Sequence, residues 1–128
     1  ALSAFPDVAQ LAGVLLDRWS AGDGPVVLAD GLTLDVIMGD ARQTLPAWQG
    51  RADAWYLDGF SPAKNPQLWE PALLQAVADH TNAGGTAATY SAAGHVRQSL
   101  TQAGFCVERV KGFGTKRHMT VAVMPDAE

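Results

Sequence analysis

The residues best placed to do chemistry lie where an apolar run ends in a carboxylate. Residues 55–66 read WYLDGFSPAKNP, so a predicted strand over 53–57 is followed by Asp58, Gly59 and a loop with two prolines. In open α/β sheets, ligands bind just beyond the carboxyl ends of the strands. Asp58 is therefore a candidate ligand-binding residue. The alternative is an acidic residue that only forms the turn before Gly59, which is a common arrangement.

Two other positions carry candidate groups. Asp40 precedes a short predicted helix over 41–48, where a carboxylate can accept hydrogen bonds from the free N–H groups of the first turn. Tyr90 and Ser91 end another predicted strand, so they are expected at the same crevice as Asp58. Contact with a substrate and simple packing are equally open for Tyr90.

These groups need a framework, and the chain shows strands that alternate with helices. Apolar periodicity and turn residues predict these elements. Their ranges are helix 6–19, hairpin strands 25–29 and 32–38, helix 41–48, strand 53–57, helix 66–82, strand 86–90, helix 91–103 and strands 105–110 and 119–124. The alternation predicts a parallel sheet with right-handed crossovers, and the short loop between the last two strands predicts one antiparallel strand. The predicted fold class is therefore α/β.

The composition bounds the class of protein. A chain of 128 residues, 48% of them hydrophobic, fits a single domain over 1–128 with its own core. The single cysteine, Cys106, cannot close an internal disulfide and is interpreted as a small core residue in a reducing compartment. The sequence has no 18-residue apolar run and no N-terminal signal pattern, so we expect no membrane insertion and a cytoplasmic location. The three histidines lack metal-ligand spacing, and no metal is predicted.

The charge is distributed unevenly along the chain. The net charge is −4, but residues 1–96 carry four cations against ten acids, whereas residues 97–124 carry five cations against Glu108 alone. Such a concentration of cations is suited to phosphate groups, and a solvated strand face is the equally open alternative. Charge by itself does not identify a nucleic acid.

Three long segments carry a resemblance to a known family. They are WYLDGFSPAKNPQLW at 55–69, GGTAATYSAAGHVR at 84–97 and AGFCVERVKGFGTKRHM at 103–119. In this order and spacing they resemble the methyltransferase domain of the bifunctional tRNA 5-methylaminomethyl-2-thiouridine biosynthesis (MnmC) family, from about Val36 onward. Three long motifs are more specific than a lone glycine pattern. The resemblance implies the C-terminal part of a Rossmann-like class I methyltransferase sheet, mostly parallel with one antiparallel strand.

The resemblance also implies an activity. In the family, this domain transfers a methyl group from S-adenosylmethionine to the primary amine of 5-aminomethyl-2-thiouridine at the tRNA wobble position. It often precedes an FAD-dependent oxidase domain, but a flavin-binding G-x-G-x-x-G after a strand is absent here, so FAD is not predicted. The alternative function is a non-catalytic domain of the same fold that binds RNA or self-associates.

The resemblance assigns roles to individual residues. Asp58 corresponds to the catalytic residue that orients the attacking amine beside the cofactor. Gly39, Asp40 and Ala41 correspond to a cofactor-binding segment in which the Asp40 carboxylate accepts a hydrogen bond from the adenine amino group. Without the resemblance, helix capping by Asp40 is an equally open interpretation, and the two roles are compatible.

The substrate side of the predicted site is formed by two loops and a strand end. Phe60 is predicted to stack on the uracil ring or the adenine, with a lid or core contact as the equally open alternative. Lys64 and Asn65 are predicted to meet a phosphate or the thiouridine edge, and the alternative is a solvated loop in which Asn65 caps the next helix. Tyr90 is a predicted substrate contact. A basic loop around Gly112-Phe113-Gly114 is predicted to face tRNA through three cations, Lys111, Lys116 and Arg117.

The sequence departs from the family pattern at its start. Family members carry an earlier strand with a glycine-rich loop for the cofactor, and this chain begins after it, so we expect an incomplete S-adenosylmethionine site. The strand at 53–57 would then lie at an exposed sheet edge, and exposed edges invite pairing. We expect either that the hairpin closes on this strand or that a second copy pairs with it as a homodimer.

Overall fold

The computed structural model describes residues 6–18, 24–59, 66–112, 114 and 118–126. They belong to two compact units, Ala1–Gly39 and Asp40–Glu128. The helices are α1 (Pro6–Arg18), α2 (Ala41–Ala47), α3 (Pro71–Asp79) and α4 (Gly94–Ala103), with a 3-10 turn at Pro66–Trp69. The strands are β1 (Val26–Ala29), β2 (Leu32–Leu34), β3 (Ala52–Tyr56), β4 (Thr81–Thr89), β5 (Cys106–Lys111) and β6 (His118–Val123).

The first unit contains α1 and the predicted hairpin. Strands β1 and β2 pair antiparallel around the turn at Asp30-Gly31, where Gly31 has φ 74°, a left-handed conformation that favours glycine. Strand β2 ends at Leu34, the partner of Val26, although the sequence predicted a strand to residue 38. Pro25 precedes β1 and has no N–H to donate, which explains why the pairing stops there.

The second unit is built on a four-stranded sheet with the order β3-β4-β6-β5. Strand β3 is parallel to β4, while β6 is antiparallel to both of its neighbours, β4 and β5. Strands β3, β4 and β5 therefore run in one direction and β6 in the other. This confirms the predicted α/β sheet with one antiparallel strand. The hairpin forms a separate two-stranded sheet, so the prediction that it closes on the strand at 53–57 is wrong.

Strand β4 is longer than predicted, because its glycine pair forms a bulge within the strand instead of a turn before it. The sequence predicted a turn at Gly84-Gly85 and a strand only from residue 86, but the strand begins at Thr81. The register with β3 shifts between Ala52 and Ala54, where Gly84 takes φ 78°. At Gly85 an added Cβ would lie 2.6 Å from the Thr81 side chain, so glycine is required for close approach.

Proline also divides the helix that was predicted over 66–82. A 3-10 turn ends at Trp69, Glu70 is extended, and α3 starts at Pro71. A proline disfavours the helical conformation in the residue before it and is well suited to the first helical position. The two prolines, Pro66 and Pro71, therefore start two successive elements instead of one.

The core of the second unit lies between the sheet and helices α3 and α4. Its buried members include two aromatic rings, aliphatic side chains of both helices and small residues of the central strands. They are Trp69 of the 3-10 turn, Phe105 before β5, Leu74, Val77, Val96, Leu100, Ala87 and Ala122. Cys106 is exposed at the start of the edge strand β5, so its interpretation as a core residue is wrong. Burial by α3 and α4 fixes the sheet on which the candidate site is built.

Candidate active site

Side chains that could take part in binding or catalysis lie at one edge of the four-stranded sheet. Because β3, β4 and β5 are parallel to one another, their carboxyl ends lie at the same edge, where the antiparallel strand β6 begins. Asp58 follows β3, Tyr90 follows β4, Lys111 ends β5 and His118 starts β6. The topology thus brings the predicted catalytic residue, a predicted substrate contact and one predicted tRNA-facing cation to a common edge.

The end of β3 is held by backbone pairing on one side. Tyr56 is in register with Ala88, and the Leu57 N–H donates to the Ala88 carbonyl oxygen at 2.9 Å. Within the strand, the Trp55 indole Nε1 donates to Thr81 Oγ1 at 2.9 Å. Asp58 is therefore the first residue beyond the paired part of the strand. Its backbone is positioned by the hydrogen bond of the preceding residue, Leu57, to Ala88.

The end of β4 is held by hydroxyl groups. The Ser91 N–H donates to Thr89 Oγ1 at 3.1 Å, and the buried Thr120 donates its hydroxyl proton to the Ser91 carbonyl oxygen at 2.8 Å. These two bonds fix the chain on either side of the peptide that leaves Tyr90. The Tyr90 side chain, 55% exposed, is held at the edge of the sheet without being buried.

Two cavities open at this edge and share one wall. The first, about 300 Å³, is lined by Tyr56, Leu57, Asp58, Ala88, Thr89, Tyr90 and Met119. The second, about 240 Å³, is lined by Ala41, Leu45, Trp55, Tyr56, Leu57, Asp58, Gly59, Trp69, Leu73, Leu74 and Val77. The residues common to both are Tyr56, Leu57 and Asp58. Because Asp58 lines both cavities, a group bound to it in one cavity lies next to the contents of the other.

The Asp58 carboxylate is available to a ligand. The residue is exposed, and its side chain makes no hydrogen bond or ion pair within the part of the chain that the structure describes. A carboxylate of this kind can accept hydrogen bonds from an amine or balance a nearby positive charge. No internal structural role competes with those functions among the described residues.

Asp40, by contrast, is already engaged. Its Oδ1 accepts from the backbone N–H of Arg42 at 2.9 Å, and its Oδ2 accepts from Arg42 Nη2 at 2.6 Å. These hydrogen bonds, first that from the Arg42 side chain and then that from its backbone, hold the pKa of the Asp40 carboxyl below its ordinary value. The predicted helix cap is confirmed, and any adenine contact has to share the carboxylate with Arg42.

The other predicted site residues divide into three groups. Ala41 lines the second cavity together with Asp58, as a cofactor-binding residue must. Gly39 ends the first unit with φ 135°, a conformation that favours glycine before the helix cap. The residues outside the described ranges are Phe60, Lys64, Asn65, Lys116 and Arg117.

Sequence reasoning missed Tyr56 and Met119, which line the first cavity. A signal for Tyr56 was present, because alternation along a strand places it on the opposite side from Trp55 and Leu57 and on the side of Asp58. Trp55 and Leu57 are partly buried, whereas Tyr56 and Asp58 are exposed. Met119 could be placed only once β6 was known to lie beside β4.

The described ranges contain neither a metal-binding cluster nor a membrane-spanning helix. They contain no group of three or more His, Cys, Asp or Glu residues arranged to hold a metal ion. None of their helices combines the length and the apolar character needed to span a lipid bilayer.

Comparison with known proteins identifies the family. Residues 6–125 match a family model described as S-adenosyl-L-methionine-dependent methyltransferase. The chain belongs to this methyltransferase family. The match includes every element from α1 to β6, and with it both cavities at the carboxyl edge.

Relatives of this methyltransferase chain are named as tRNA 5-methylaminomethyl-2-thiouridine biosynthesis bifunctional proteins MnmC. The protein of Chromohalobacter salexigens is 46% identical over 98% of this chain and 19% of its own length. That of a Caulobacter species is 43% identical over 98% of this chain and 22% of its own length. The chain thus spans about a fifth of the curated relatives that it matches.

A solved structure supports the same fold. The crystal structure of MNMC2 from Aquifex aeolicus superposes with a TM-score of 0.70 at 35% identity, covering 89% of this chain and 37% of that one. The mixed sheet of this methyltransferase chain, with one antiparallel strand, is therefore a known arrangement.

The residues present fit part of the family's cofactor. The second cavity is lined mainly by apolar side chains, as small-molecule and cofactor sites commonly are. The Asp58 carboxylate on its wall has the charge that favours the positively charged sulfur of S-adenosylmethionine. Asp40, which directly precedes the cavity residue Ala41, supplies acceptor oxygens. These two carboxylates suit the cofactor, although Asp40 is shared with Arg42.

Proposed function

We propose that this chain is the methyltransferase part of a tRNA-modifying enzyme. Its substrate would be the primary amine of 5-aminomethyl-2-thiouridine at the wobble position, and its product the N-methylated amine. The observation that carries the proposal is the position of Asp58, whose carboxylate bonds to none of the described residues and lies on the wall shared by two cavities at the carboxyl edge of the sheet. The names of the relatives supply the substrate class.

The second cavity is proposed to take the cofactor. Asp40 would accept a hydrogen bond from the adenine amino group, with Gly39 and Ala41 beside it and Asp58 near the methyl end. When bound, S-adenosylmethionine supplies an electrophilic methyl group on a positively charged sulfur. The mainly apolar lining offers few other charges, so the Asp58 carboxylate is the group on this wall that favours the positively charged donor.

Asp58 is proposed to orient the amine. An amine reacts only as the neutral base with its lone pair directed at the methyl carbon, so it needs one hydrogen-bond acceptor placed on the opposite side. The Asp58 carboxylate accepts a hydrogen bond from the amine N–H, and this directs the lone pair across the shared wall. Because Asp58 is exposed, the proton that the amine releases can pass to solvent there.

The basic end of β5 is proposed to face the tRNA backbone. Lys111 is exposed at the carboxyl edge of the sheet, three strand positions from β3. With neighbouring strands about 4.8 Å apart, this places its backbone roughly 14 Å from that of β3, within the reach of one RNA strand. Lys116 and Arg117, next to it in sequence, would extend the same contact. A tRNA substrate agrees with a cytoplasmic location.

The edge of β3 is a proposed site of self-association. Within the described residues, β3 has β4 as its strand partner on one side and forms the edge of the four-stranded sheet on the other. An unpaired strand edge can pair with a second copy of the chain. Sedimentation of the purified chain tests this, since a concentration-independent monomer would contradict a homodimer.

The proposed reaction can be tested directly. The chain is incubated with S-adenosylmethionine and tRNA that carries 5-aminomethyl-2-thiouridine, and nucleosides from the digested tRNA are analysed by mass spectrometry. We expect a mass increase of one methylene on this nucleoside and none on tRNA with an unmodified wobble uridine. Independently, the cofactor should raise the melting temperature, because a ligand that binds only the folded state stabilises it.

The outcomes separate the candidate functions. A methylated product with a cofactor-dependent melting shift supports the proposed enzyme. The absence of both a methylated product and a melting shift at saturating cofactor would contradict it. Binding of tRNA that persists without any methyl transfer would instead favour the non-catalytic RNA-binding domain, for which salt dependence of the binding is the expected signature.

A further inference from the structure

Two tyrosine side chains that line the first cavity are exposed to solvent. Tyr56 is 86% exposed although it lies inside a strand, and Tyr90 is 55% exposed. Large aromatic side chains are normally buried for most of their area. Neither hydroxyl makes a hydrogen bond within the described ranges, so no contact there explains why the two rings are held in the open. Both rings line the same cavity.

The strand register relates the backbones of the two tyrosines, since Tyr90 directly follows the last residue of β4. Tyr56 is in register with Ala88 on the neighbouring parallel strand, and Tyr90 lies two residues beyond Ala88. Residues that pair across a sheet, and residues two apart along a strand, present their side chains to the same face. The strand spacings put the two tyrosine backbones roughly 8 Å apart. Two ring-to-ring contact distances add up to about 7–8 Å, so one flat ring fits between them.

The remaining lining of this cavity is suited to a flat ring. Thr89 is in register with Thr120, so Met119 lies opposite Tyr90 on the adjacent strand. The Met119 thioether is polarizable and contacts aromatic rings favourably. At about 300 Å³ the cavity is at the small end of ligand-binding cavities, the range suited to a single ring system.

We propose that Tyr56 and Tyr90 hold the target nucleobase of an unpaired RNA strand between their rings, with Met119 at the base of the cavity. This deepens the proposed function, on which it rests, by naming how the substrate is held. Stacking of bases on aromatic side chains is the usual way in which proteins hold unpaired nucleotides. Because Tyr56 and Asp58 share the wall of this cavity, a base stacked there presents its substituent amine to the Asp58 carboxylate.

The test compares two RNAs that differ only in one base. One is an anticodon stem-loop with 5-aminomethyl-2-thiouridine at the wobble position, and the other has an abasic residue there. Binding is measured by fluorescence anisotropy at low salt and without cofactor. We expect the wild-type chain to bind the first RNA more tightly. Substitution of either tyrosine by alanine should weaken binding of the base-bearing RNA by about 5- to 150-fold and leave the abasic RNA unaffected.

Two further variants define the cause. Tyr56→Phe keeps the ring and should keep the preference for the base-bearing RNA. Val123→Ala is the matched control, because Val123 is also an exposed apolar side chain but is the last residue of β6, at the opposite end of that strand from the cavity residue Met119. It should change neither affinity. Both tyrosines are exposed, so their replacement is expected to leave the melting temperature nearly unchanged.

Several results would overturn this proposal. They are equal or absent binding of the two RNAs by the wild-type chain, an unchanged preference in both alanine variants, or an equal loss of affinity for both RNAs. Failure of the proposed reaction is distinguishable from failure of the stacking site. A chain that prefers the base-bearing RNA through its tyrosines but transfers no methyl group would retain this site and refute the proposed function.

Discussion

The two ends of the four-stranded sheet use their polar groups differently. At the amino end of β3, Arg51 donates from Nε to Asn82 Oδ1 at 2.9 Å and from Nη2 to the Thr81 carbonyl oxygen at 2.7 Å. Asn82 in turn donates to Asp53 Oδ1 at 2.9 Å. The charged groups at this end are thus bonded to neighbouring elements of the fold.

The same end is further fixed by a histidine and an aromatic cluster. The two ring nitrogens of His80 contact the carbonyl oxygens of Ala76 and Trp48, at 2.8 and 2.7 Å. Trp48 stacks on His80 and meets Trp55 edge to face, with ring centroids 5.6 and 6.2 Å apart. These contacts connect α2, α3 and β3 below the site.

At the carboxyl end, hydrogen bonds fix the backbone but leave key side chains to solvent. Thr89 and Thr120 bond the chain around Ser91, whereas Asp58, Tyr56 and Tyr90 make no side-chain hydrogen bond within the ranges that the structure describes. Groups kept rigid in position yet unsatisfied by the fold are suited to a ligand. The polar residues of one end stabilise the sheet, whereas those of the other end remain available to a ligand.

The largest effect is expected from a substitution at the carboxyl end of the sheet. Asp58→Asn removes the carboxylate that we propose to orient the amine, so methyl transfer should fall by at least about 100-fold. Stability should change little, because Asp58 is exposed and makes no internal bond in the described structure. Initial rates of methyl transfer from labelled S-adenosylmethionine measure this.

Asp53→Asn is the matched control, since it removes one exposed carboxylate from the other end of the same strand. Its methyl transfer rate should stay at the wild-type value. Equal losses in the two variants would mean that the negative charge of the chain, and not the position of Asp58, supports the reaction.

The second largest effect is expected from a substitution at the amino end of β4. Thr81, 2% exposed, donates to the Val77 carbonyl oxygen at 2.6 Å and accepts from the Trp55 indole at 2.9 Å. Thr81→Val leaves the indole N–H without its partner, and this should lower the free energy of unfolding by about 1–3 kcal/mol. Urea denaturation measures the loss, and the folded variant should keep its methyl transfer activity.

A control for this change is Thr101→Val. Thr101 also donates to the carbonyl oxygen four residues earlier, that of Arg97 at 2.9 Å, but it is exposed on α4. Its replacement should change the free energy of unfolding by less than about 0.5 kcal/mol. If both threonine variants had the same stability, the buried bond of Thr81 would have no special importance.

The smallest effect concerns Asp40, whose carboxylate is paired with Arg42. Because Arg42 holds the pKa of Asp40 below its ordinary value, the stability that Asp40 contributes is present above the unfolded-state value. It is lost as the pH falls below about 4, through the lower folded-state value. Acid titration of Asp40→Asn, monitored by circular dichroism, should therefore show a shallower loss of stability than the wild type. Parallel curves would contradict the pairing of Asp40 with Arg42.

Much of this architecture could be predicted from the sequence because it follows from local periodicity. The hairpin at Asp30-Gly31, the helix cap at Asp40 and the antiparallel last strand are each set by a few neighbouring residues. The position of Asp58 at the carboxyl edge follows from one strand ending in an acid. These are signals of short range, and they were read correctly.

Other features depend on contacts between distant segments and could not be predicted. The pair Gly84-Gly85 has the pattern of a turn, but Met124 exchanges backbone hydrogen bonds with both glycines and keeps them in strand β4. Met119 lies beside the first cavity only because β6 pairs with β4, which the sequence does not specify. The occupation of Asp40 by Arg42 depends on a side-chain conformation that helical spacing does not specify.

The central claim is that two ligands meet at Asp58 from two cavities, and nuclear magnetic resonance of the labelled chain tests it most directly. Adding S-adenosylhomocysteine should shift resonances of Ala41 and Leu45, which line only the second cavity, whereas 5-aminomethyluridine should shift those of Ala88 and Met119, which line only the first. The Asp58 carboxyl resonance should respond to both. An Asp58 resonance that responds to neither ligand, or two ligands that shift the same set of residues, would contradict the account.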